Sequence, residues 1–252
     1  MFSVTAVVLA AGASERMGEP KLLLPYRGAT VLDATTEAVT ASAVDRVIVV
    51  TGARAEEVEA SLGAVTSSSP SGGGAAEGGG GGQGLRSEPF DPSRQRPEAL
   101  PPSPDGREED DAHRAGSPSM IVVRNPDYRC GNMSSLLTAT AVDPAAEAFI
   151  VVPGDMPTIR TAALDSMIEL WFETRPWAAV AEYDDRIAHP FLLSRTAVDA
   201  MDQMTGEKVL GRLLIDTDDD RVIRLSVPHK APRDVNTPED YEALVRRRSV
   251  DQ

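Results

Sequence analysis

The sequence is short of cysteine, of basic residues and of long apolar runs, and each shortage excludes a class of protein. A single thiol, Cys130, cannot build an internal disulfide framework, which fits a reducing compartment. Lys and Arg number 25 against 39 Asp and Glu, a net charge of −14, whereas a nucleic-acid footprint needs cations clustered on one face. No apolar run reaches the roughly 18 residues of a membrane span. We therefore expect a cytoplasmic protein that binds neither nucleic acid nor membranes.

The sequence also lacks a basic leader at its N-terminal stretch and a fixed repeat period, and one segment is nearly free of apolar residues. The N-terminal stretch "MFSVTAVVLAAGAS" has no basic leader before its apolar run, so a first buried strand is the better interpretation than a signal peptide. No fixed repeat period is present. The segment 66–118 is almost free of apolar residues and rich in Gly, Ser, Pro and charge, a composition that predicts disorder. We interpret it as an insertion in one domain spanning 1–252, the alternative being a regulatory or partner-binding tail.

Outside this segment, apolar runs alternate with amphipathic stretches, which predicts an α/β fold with a mostly parallel sheet covered on both faces. The predicted strands are Thr5–Leu9, Arg46–Val50, Met120–Val123, Ala148–Val152 and Ala178–Glu182. The predicted helices are Val31–Ala43, Ala55–Leu62, Met133–Ala141 and Thr161–Glu173. The C-terminal third adds strands at "FLLS" and "RVIRLSV" and a closing helix over Thr237–Arg247, whose "NTPED" start supplies a polar cap and early acids.

The loop after the first strand has the composition of a phosphate-binding loop. Ala10, Ala11 and Gly12 carry little bulk, so backbone N–H groups could approach an anion closely. Arg16 and Lys21 can add positive charge, which makes a polyphosphate the natural ligand. The loop contains neither G-x-x-x-x-G-K-[ST] nor G-x-G-x-x-G, and a structural turn with solvated cations is the alternative.

Two polar residues are candidate metal ligands. Asp155 follows a predicted buried strand in "VVPGDMP", where a carboxylate can hold Mg²⁺ or can cap the next helix. Asn236 in "DVNTPED" offers a hard amide oxygen, its competing role being a helix N-cap, and Asp234 is the fallback ligand.

Three other residues need an interpretation. Ser134 and Ser135 open a predicted helix whose N-terminus faces the same crevice, although serine at a helix start is commonly only a cap. His189 in "AHPFLL" precedes proline, and we expect a packed or hydrogen-bonded residue there rather than a catalytic one.

A family resemblance joins these separate features. "LAAGASERMGEPKLLLPYRG" resembles the signature loop of nucleotidyltransferases of the nucleoside-diphospho-sugar pyrophosphorylase type, and within them the MobA-like branch that attaches nucleotides to molybdopterin. "NPDYRCGNMSSLLTA", "VVPGDMP", "AHPFLLSR" and "DVNTPEDY" are similar to later motifs of that branch, in the same order. The resemblance implies a Rossmann-like three-layer α/β/α sandwich. It also implies a Mg²⁺-dependent transfer of a nucleoside monophosphate from an NTP to a phosphorylated acceptor, with molybdopterin as the leading acceptor.

The resemblance implies a role for each candidate residue. The triphosphate would lie against Leu9, Ala10, Ala11 and Gly12, and Arg16 and Lys21 would neutralise its charge. Asp155 and Asn236 would hold the metal. Ser134 and Ser135 would touch the base and ribose, and His189 would line the acceptor pocket. The "LAAG" start is typical of the cytidylyl enzymes of this branch and "LAGG" of the guanylyl enzymes, which favours CTP over GTP. Two alternatives stay open: an oxidoreductase of the nicotine-blue type, and a non-catalytic chaperone that delivers molybdenum cofactor to a partner molybdoenzyme.

Overall fold

A computed structural model describes residues 3–62, 118–201, 209–215 and 219–248, so the predicted insertion at 66–118 lies outside the described residues except for Pro118. The strands are β1 (Val4–Ala10), β2 (Pro25–Tyr26), β3 (Ala29–Thr30), β4 (Arg46–Thr51), β5 (Ser119–Arg124), β6 (Ala148–Pro153), β7 (Ala178–Tyr183), β8 (Ile187–Ser194) and β9 (Val222–Val227). The helices are α1 (Val31–Thr40), α2 (Ala55–Ser61), α3 (Asn132–Val142), α4 (Thr161–Thr174), α5 (Arg195–Met201), α6 (Val209–Leu214) and α7 (Pro238–Arg248).

Seven strands form one sheet in the order β5-β4-β1-β6-β8-β7-β9, and β2 pairs with β3 in a separate hairpin. β1 runs parallel to β4 and β6, β5 parallel to β4, and β9 parallel to β7. Among the seven described strands of this sheet, only β8 runs the other way, antiparallel to both β6 and β7. The sheet is therefore mostly parallel, as the sequence predicts.

Two apolar layers cover the two faces of this sheet. Successive residues of β1 point to opposite faces, so Ala6 and Val8 join one buried cluster and Val7 joins the other. The first cluster includes apolar residues of α1, α2 and α4, and the second includes residues of α3, α5 and α6. This arrangement is the predicted three-layer α/β/α sandwich.

Helix α1 is shorter than predicted. It ends at Thr40 instead of Ala43, because the Ser42 hydroxyl donates to the carbonyl oxygen of Val39 at 2.6 Å and satisfies a group that another helical turn would have bonded. The other predicted helices and strands agree with the structure to within three residues at each end, except that β8 begins four residues before the predicted "FLLS". No helix in the described ranges has the length and hydropathy needed to cross a bilayer.

The loops that follow β1, β4 and β6 meet at the carboxyl edge of the sheet. The order of the strands reverses at β1, which α1 connects to β4 on one side while β6 lies on the other, and ligands of open α/β sheets bind at such a point. The N–H of Gly154 donates to the carbonyl oxygen of Leu9 at 2.9 Å, and that of Ala53 to Ala11 at 3.2 Å. A Cβ on Gly52 would lie 2.6 Å from the carbonyl oxygen of Ala11, so only glycine allows this close approach.

Candidate active site

The loop over residues 11–20 leaves β1 and turns back on itself. Ser14 has a φ of 58° and Gly18 a φ of 76°, and the carbonyl oxygen of Ser14 accepts from the N–H groups of Met17 and Gly18 at 3.0 and 3.3 Å. Gly12 and Arg16 are exposed on this turn. The Arg16 side chain makes no hydrogen bond or ion pair within the described ranges, so its guanidinium is available to an anion.

Lys21 follows this loop and points into the site. It opens a short 3-10 turn, Lys21–Leu23, which buried Leu22 anchors to the core. The Nζ atom of Lys21 forms a short ion pair with Oδ2 of Asp155 and donates to Oδ1 of Asn236 at 2.9 Å. Three predicted site residues, up to 215 positions apart in the chain, are therefore in direct contact.

Asp155 is a buried carboxylate that does not cap a helix. Its helix-capping alternative is excluded because α4 begins at Thr161 with Arg160 at the N-cap position and no side-chain cap. Burial raises the pKa of Asp155, the attraction of Lys21 opposes this shift, and the nearby charge of Asp234 adds to it. The folded chain therefore keeps a carboxylate in a place that disfavours its charge, which is typical of functional sites.

Asn236 is also free of the capping role that the sequence left open. Helix α7 is capped by the pair next to it: Thr237 Oγ1 accepts from the N–H of Asp240 at 3.3 Å, and Asp240 Oδ2 accepts from the N–H of Thr237 at 2.9 Å. The Asn236 amide instead donates through Nδ2 to Asp234 in a short contact and presents Oδ1 to Lys21. The N–H of Val235 donates to the carbonyl oxygen of Asp155 at 3.0 Å, which holds this segment against the loop after β6.

The oxygen donors here suit a hard divalent cation. The carboxylates of Asp155 and Asp234 and the amide oxygen of Asn236 are the ligand types that Mg²⁺ prefers, and Lys21 is already bonded to two of the three groups. Within the described ranges, no group of three or more His, Cys, Asp or Glu side chains forms a complete protein cage for a metal. The site therefore fits an ion that keeps water and substrate oxygens in its coordination shell.

Ser134 and Ser135 lie in the first turn of α3, and a residue that sequence reasoning missed holds both. Asn125 is 2% exposed, and its Nδ2 donates to the two serine hydroxyls at 2.9 and 3.0 Å. Its Oδ1 accepts from the N–H of Asp127 at 2.9 Å. The helix has Gly131 at its N-cap position and no side-chain cap, so no side chain satisfies its first N–H groups. An asparagine at the end of a predicted strand, in "RNPDYRC", was the available signal.

His189 belongs to β8, and the direction of that strand explains its position. Because β8 runs against β6 and β7, its first residues lie at the carboxyl edge of the parallel strands. The imidazole is half-buried and stacks on the ring of Phe191 with centroids 3.9 Å apart. Burial lowers the pKa of His189 to about 4, against a weaker opposite effect from Asp234, so the ring is neutral at neutral pH. His189 therefore has the packed character that the sequence predicts, next to the acidic end of the site.

Comparisons with known proteins show which family the chain belongs to. The model of the MobA-like NTP transferase domain matches residues 6–82 and 105–222. The molybdenum cofactor cytidylyltransferase of Escherichia coli K12 is 22% identical over 195 residues, covering 77% of this chain and 72% of that protein. Nicotine blue oxidoreductase from Paenarthrobacter nicotinovorans is 46% identical over 56 residues, which is 22% of this chain and only 28% of the length of that protein.

A solved structure extends the comparison to nearly the whole chain. Rv0371c from Mycobacterium tuberculosis H37Rv is similar with a TM-score of 0.69 and 26% identity, covering 97% of this chain and 98% of that one. Its complex with manganese gives a TM-score of 0.65 and 25% identity over 97% and 98% of the two chains. With a family model that matches most of the sequence and a sheet edge built around Lys21 and Asp155, the chain belongs to the MobA-like NTP transferase family.

Proposed function

We propose that this nucleotidyltransferase uses a divalent metal, Mg²⁺ as first expectation, to transfer a nucleoside monophosphate from an NTP to a phosphorylated acceptor. An oxygen of the acceptor phosphate attacks the α-phosphorus, the bond from that phosphorus to the bridging oxygen breaks, and pyrophosphate leaves. The contact of Lys21 with Asp155 and Asn236, beside the small-residue loop and at the reversal point of the sheet, carries the proposal. This contact supports the proposal because a cationic side chain and oxygen donors meet at the edge where an α/β sheet binds its ligand.

Some of the site residues bind the triphosphate and the metal, and others stabilise the negative charge that develops during the reaction. Gly12 and its small neighbours expose backbone N–H groups to the triphosphate, and the exposed Arg16 adds a planar cation. Lys21 stabilises the negative charge that develops on the α-phosphoryl group and on pyrophosphate. Asp155 and Asn236 would hold the metal, with Asp234 beside them. Bound there, the metal would neutralise phosphate charge.

The proposed reaction needs no general base from the protein. An acceptor phosphate is ionised at neutral pH, so positioning and charge stabilisation carry most of the rate. A neutral His189, stacked on Phe191 and bonded through its carbonyl oxygen to the hydroxyl of Tyr183 at 2.8 Å, is suited to lining an acceptor pocket. Molybdopterin is the proposed acceptor, in keeping with the name of the Escherichia coli relative.

CTP is the proposed nucleotide, because the loop reads Leu9-Ala10-Ala11-Gly12, the start that is typical of the cytidylyl enzymes of this branch. Ala11 is buried, and its methyl group fits beside Gly52, where a second Cβ would come within 2.8 Å of it. A methyl-sized difference in a pocket is worth about 1–3 kcal/mol of discrimination. Competition between CTP and GTP at equal concentrations, with molybdopterin as acceptor, tests the choice: preferential incorporation of guanylate contradicts it and leaves the transferase proposal intact.

The transferase proposal is tested by pyrophosphate release from each of the four NTPs with Mg²⁺ or Mn²⁺, using molybdopterin and simpler phosphorylated acceptors. We expect release with molybdopterin, and release at least about 10²-fold slower from a Lys21→Met variant. If the wild type binds nucleotide and molybdenum cofactor tightly but releases no pyrophosphate, the result would instead support the delivery chaperone. The segment shared with nicotine blue oxidoreductase keeps an oxidoreductase as the second candidate, which saturable quenching of NADPH fluorescence would support.

A further inference from the structure

The ammonium group of Lys21 occupies the place where a divalent metal would find its protein ligands. Its Nζ is bonded to Oδ2 of Asp155 and, at 2.9 Å, to Oδ1 of Asn236. The side chains of Lys21 and Asp155 are only 17% and 10% exposed, so water can replace little of this contact. Each of these two oxygens is thus already committed to a cation that belongs to the chain.

A metal and this ammonium group cannot both make their close contacts with the same two oxygens. An inner ligand of Mg²⁺ lies about 2.0–2.1 Å from the ion, and an ammonium kept at hydrogen-bond distance from the same oxygens would face an unscreened like charge. Lysine has a flexible four-carbon stem, so its head can move while its backbone stays fixed by the short turn that begins at Lys21. A metal that binds Oδ2 of Asp155 and Oδ1 of Asn236 therefore has to displace the ammonium.

We infer that Lys21 and the divalent metal compete for Asp155 and Asn236, and that a triphosphate relieves the competition by offering the ammonium other anionic oxygens. This inference rests on the proposed function for the identity of the nucleotide, but the competition itself needs no nucleotide. It makes Lys21 a positioning residue for metal entry as well as a charge-stabilising one. By linkage, the nucleotide then tightens metal binding by the same factor by which the metal tightens nucleotide binding.

The first test measures Mn²⁺ binding to the metal-free full-length protein without nucleotide, from the electron paramagnetic resonance signal of free Mn²⁺. We expect Lys21→Met to bind Mn²⁺ at least about tenfold more tightly than the wild type, because the oxygens no longer carry an internal cation. Lys230→Met, an exposed lysine with no bond to either oxygen, makes the same change in net charge and should leave the affinity unchanged. Equal or weaker binding by Lys21→Met overturns the inference.

A second test uses the wild type and does not depend on the folding of a variant. The sequence has three lysines, Lys21, Lys208 and Lys230, so protein labelled with ¹³Cε-lysine gives few signals. Addition of diamagnetic Mg²⁺ should move the Lys21 signal and leave that of Lys230 in place, whereas an unmoved Lys21 signal at saturating Mg²⁺ overturns the inference. Failure to release pyrophosphate with any NTP would refute the proposed function and leave both results standing.

Discussion

Replacing Asp155 with asparagine should separate what this carboxylate costs the fold from what it contributes to the reaction. The substitution keeps the shape of the side chain and removes its charge. Loss of one preorganised charged group that faces the transition state lowers turnover by about 10²-fold or more, or about 3 kcal/mol. We therefore expect pyrophosphate release by Asp155→Asn to fall at least about 10²-fold at saturating nucleotide.

The same substitution should not destabilise the fold. Burial of Asp155 outweighs the attraction of Lys21 and holds the pKa of the carboxyl above its usual range. A raised folded pKa contributes stability below the unfolded value of about 3.9, and that contribution is lost as the pH rises through the folded pKa. In EDTA near neutral pH, Asp155→Asn should thus melt at or above the temperature of the wild type, and the difference should shrink as the pH is lowered.

Asp143 supplies a matched control at the opposite edge of the sheet. It is also buried, accepts from the hydroxyl of Thr5 at 2.7 Å and pairs with Arg46 at 3.1 Å. Asp143→Asn weakens charge-assisted hydrogen bonds, so it should cost about 1.5–3 kcal/mol of stability and leave turnover per folded molecule unchanged. The reasoning is refuted if Asp155→Asn retains turnover within a few-fold of the wild type, or loses more stability than Asp143→Asn.

Three further changes have expected outcomes. Asn125→Ala should lower the free energy of unfolding by about 1–3 kcal/mol, because it leaves buried groups without partners. It should also raise KM for the NTP more than it lowers kcat. An unchanged KM would place the first turn of α3 outside the nucleotide site. Gly52→Ala should reduce both stability and NTP affinity, since its Cβ would lie 2.6 Å from the carbonyl oxygen of Ala11, and wild-type NTP affinity would contradict this. Deletion of residues 67–117 with a short linker should leave melting temperature and pyrophosphate release nearly unchanged, as the composition of the segment predicts, whereas collapse of the fold would reveal a structural element there.

The sequence predicted the central strands well because they are buried on both faces and therefore read as continuous apolar runs. β4 and β6 are examples, with almost every residue buried. β8 was predicted only over "FLLS" because its first half contains His189 and Pro190. Proline cannot donate to the ladder, and the pairing of β7 with β8 shifts register between Val180 and Ala181, beside these two residues. Neighbouring strands thus accommodate a sequence that local pattern would assign to a loop.

The site was predictable to the level of loops but not of atoms. Carboxyl ends of parallel strands share one edge, which brings the loops carrying Lys21 and Asp155 together on topology alone. Their bond, and that of Lys21 with Asn236, depends on side-chain directions that arise only in the folded chain. Asn125 was missed for the same reason: its partners are nine and ten residues away, across a turn that no local pattern fixes.

The charges of the site explain why a divalent cation belongs in the proposed reaction. By formal charge, the two cations Arg16 and Lys21 cancel the two acids Asp155 and Asp234, on a chain whose formal net charge is −14. Side chains alone therefore cannot offset a triphosphate, and the long-range field of the protein opposes its approach. Backbone N–H groups of the small-residue loop and a metal shared with the phosphates have to supply the attraction at short range. Lys21, paired with Asp155 until that metal arrives, keeps a buried carboxylate balanced in the meantime.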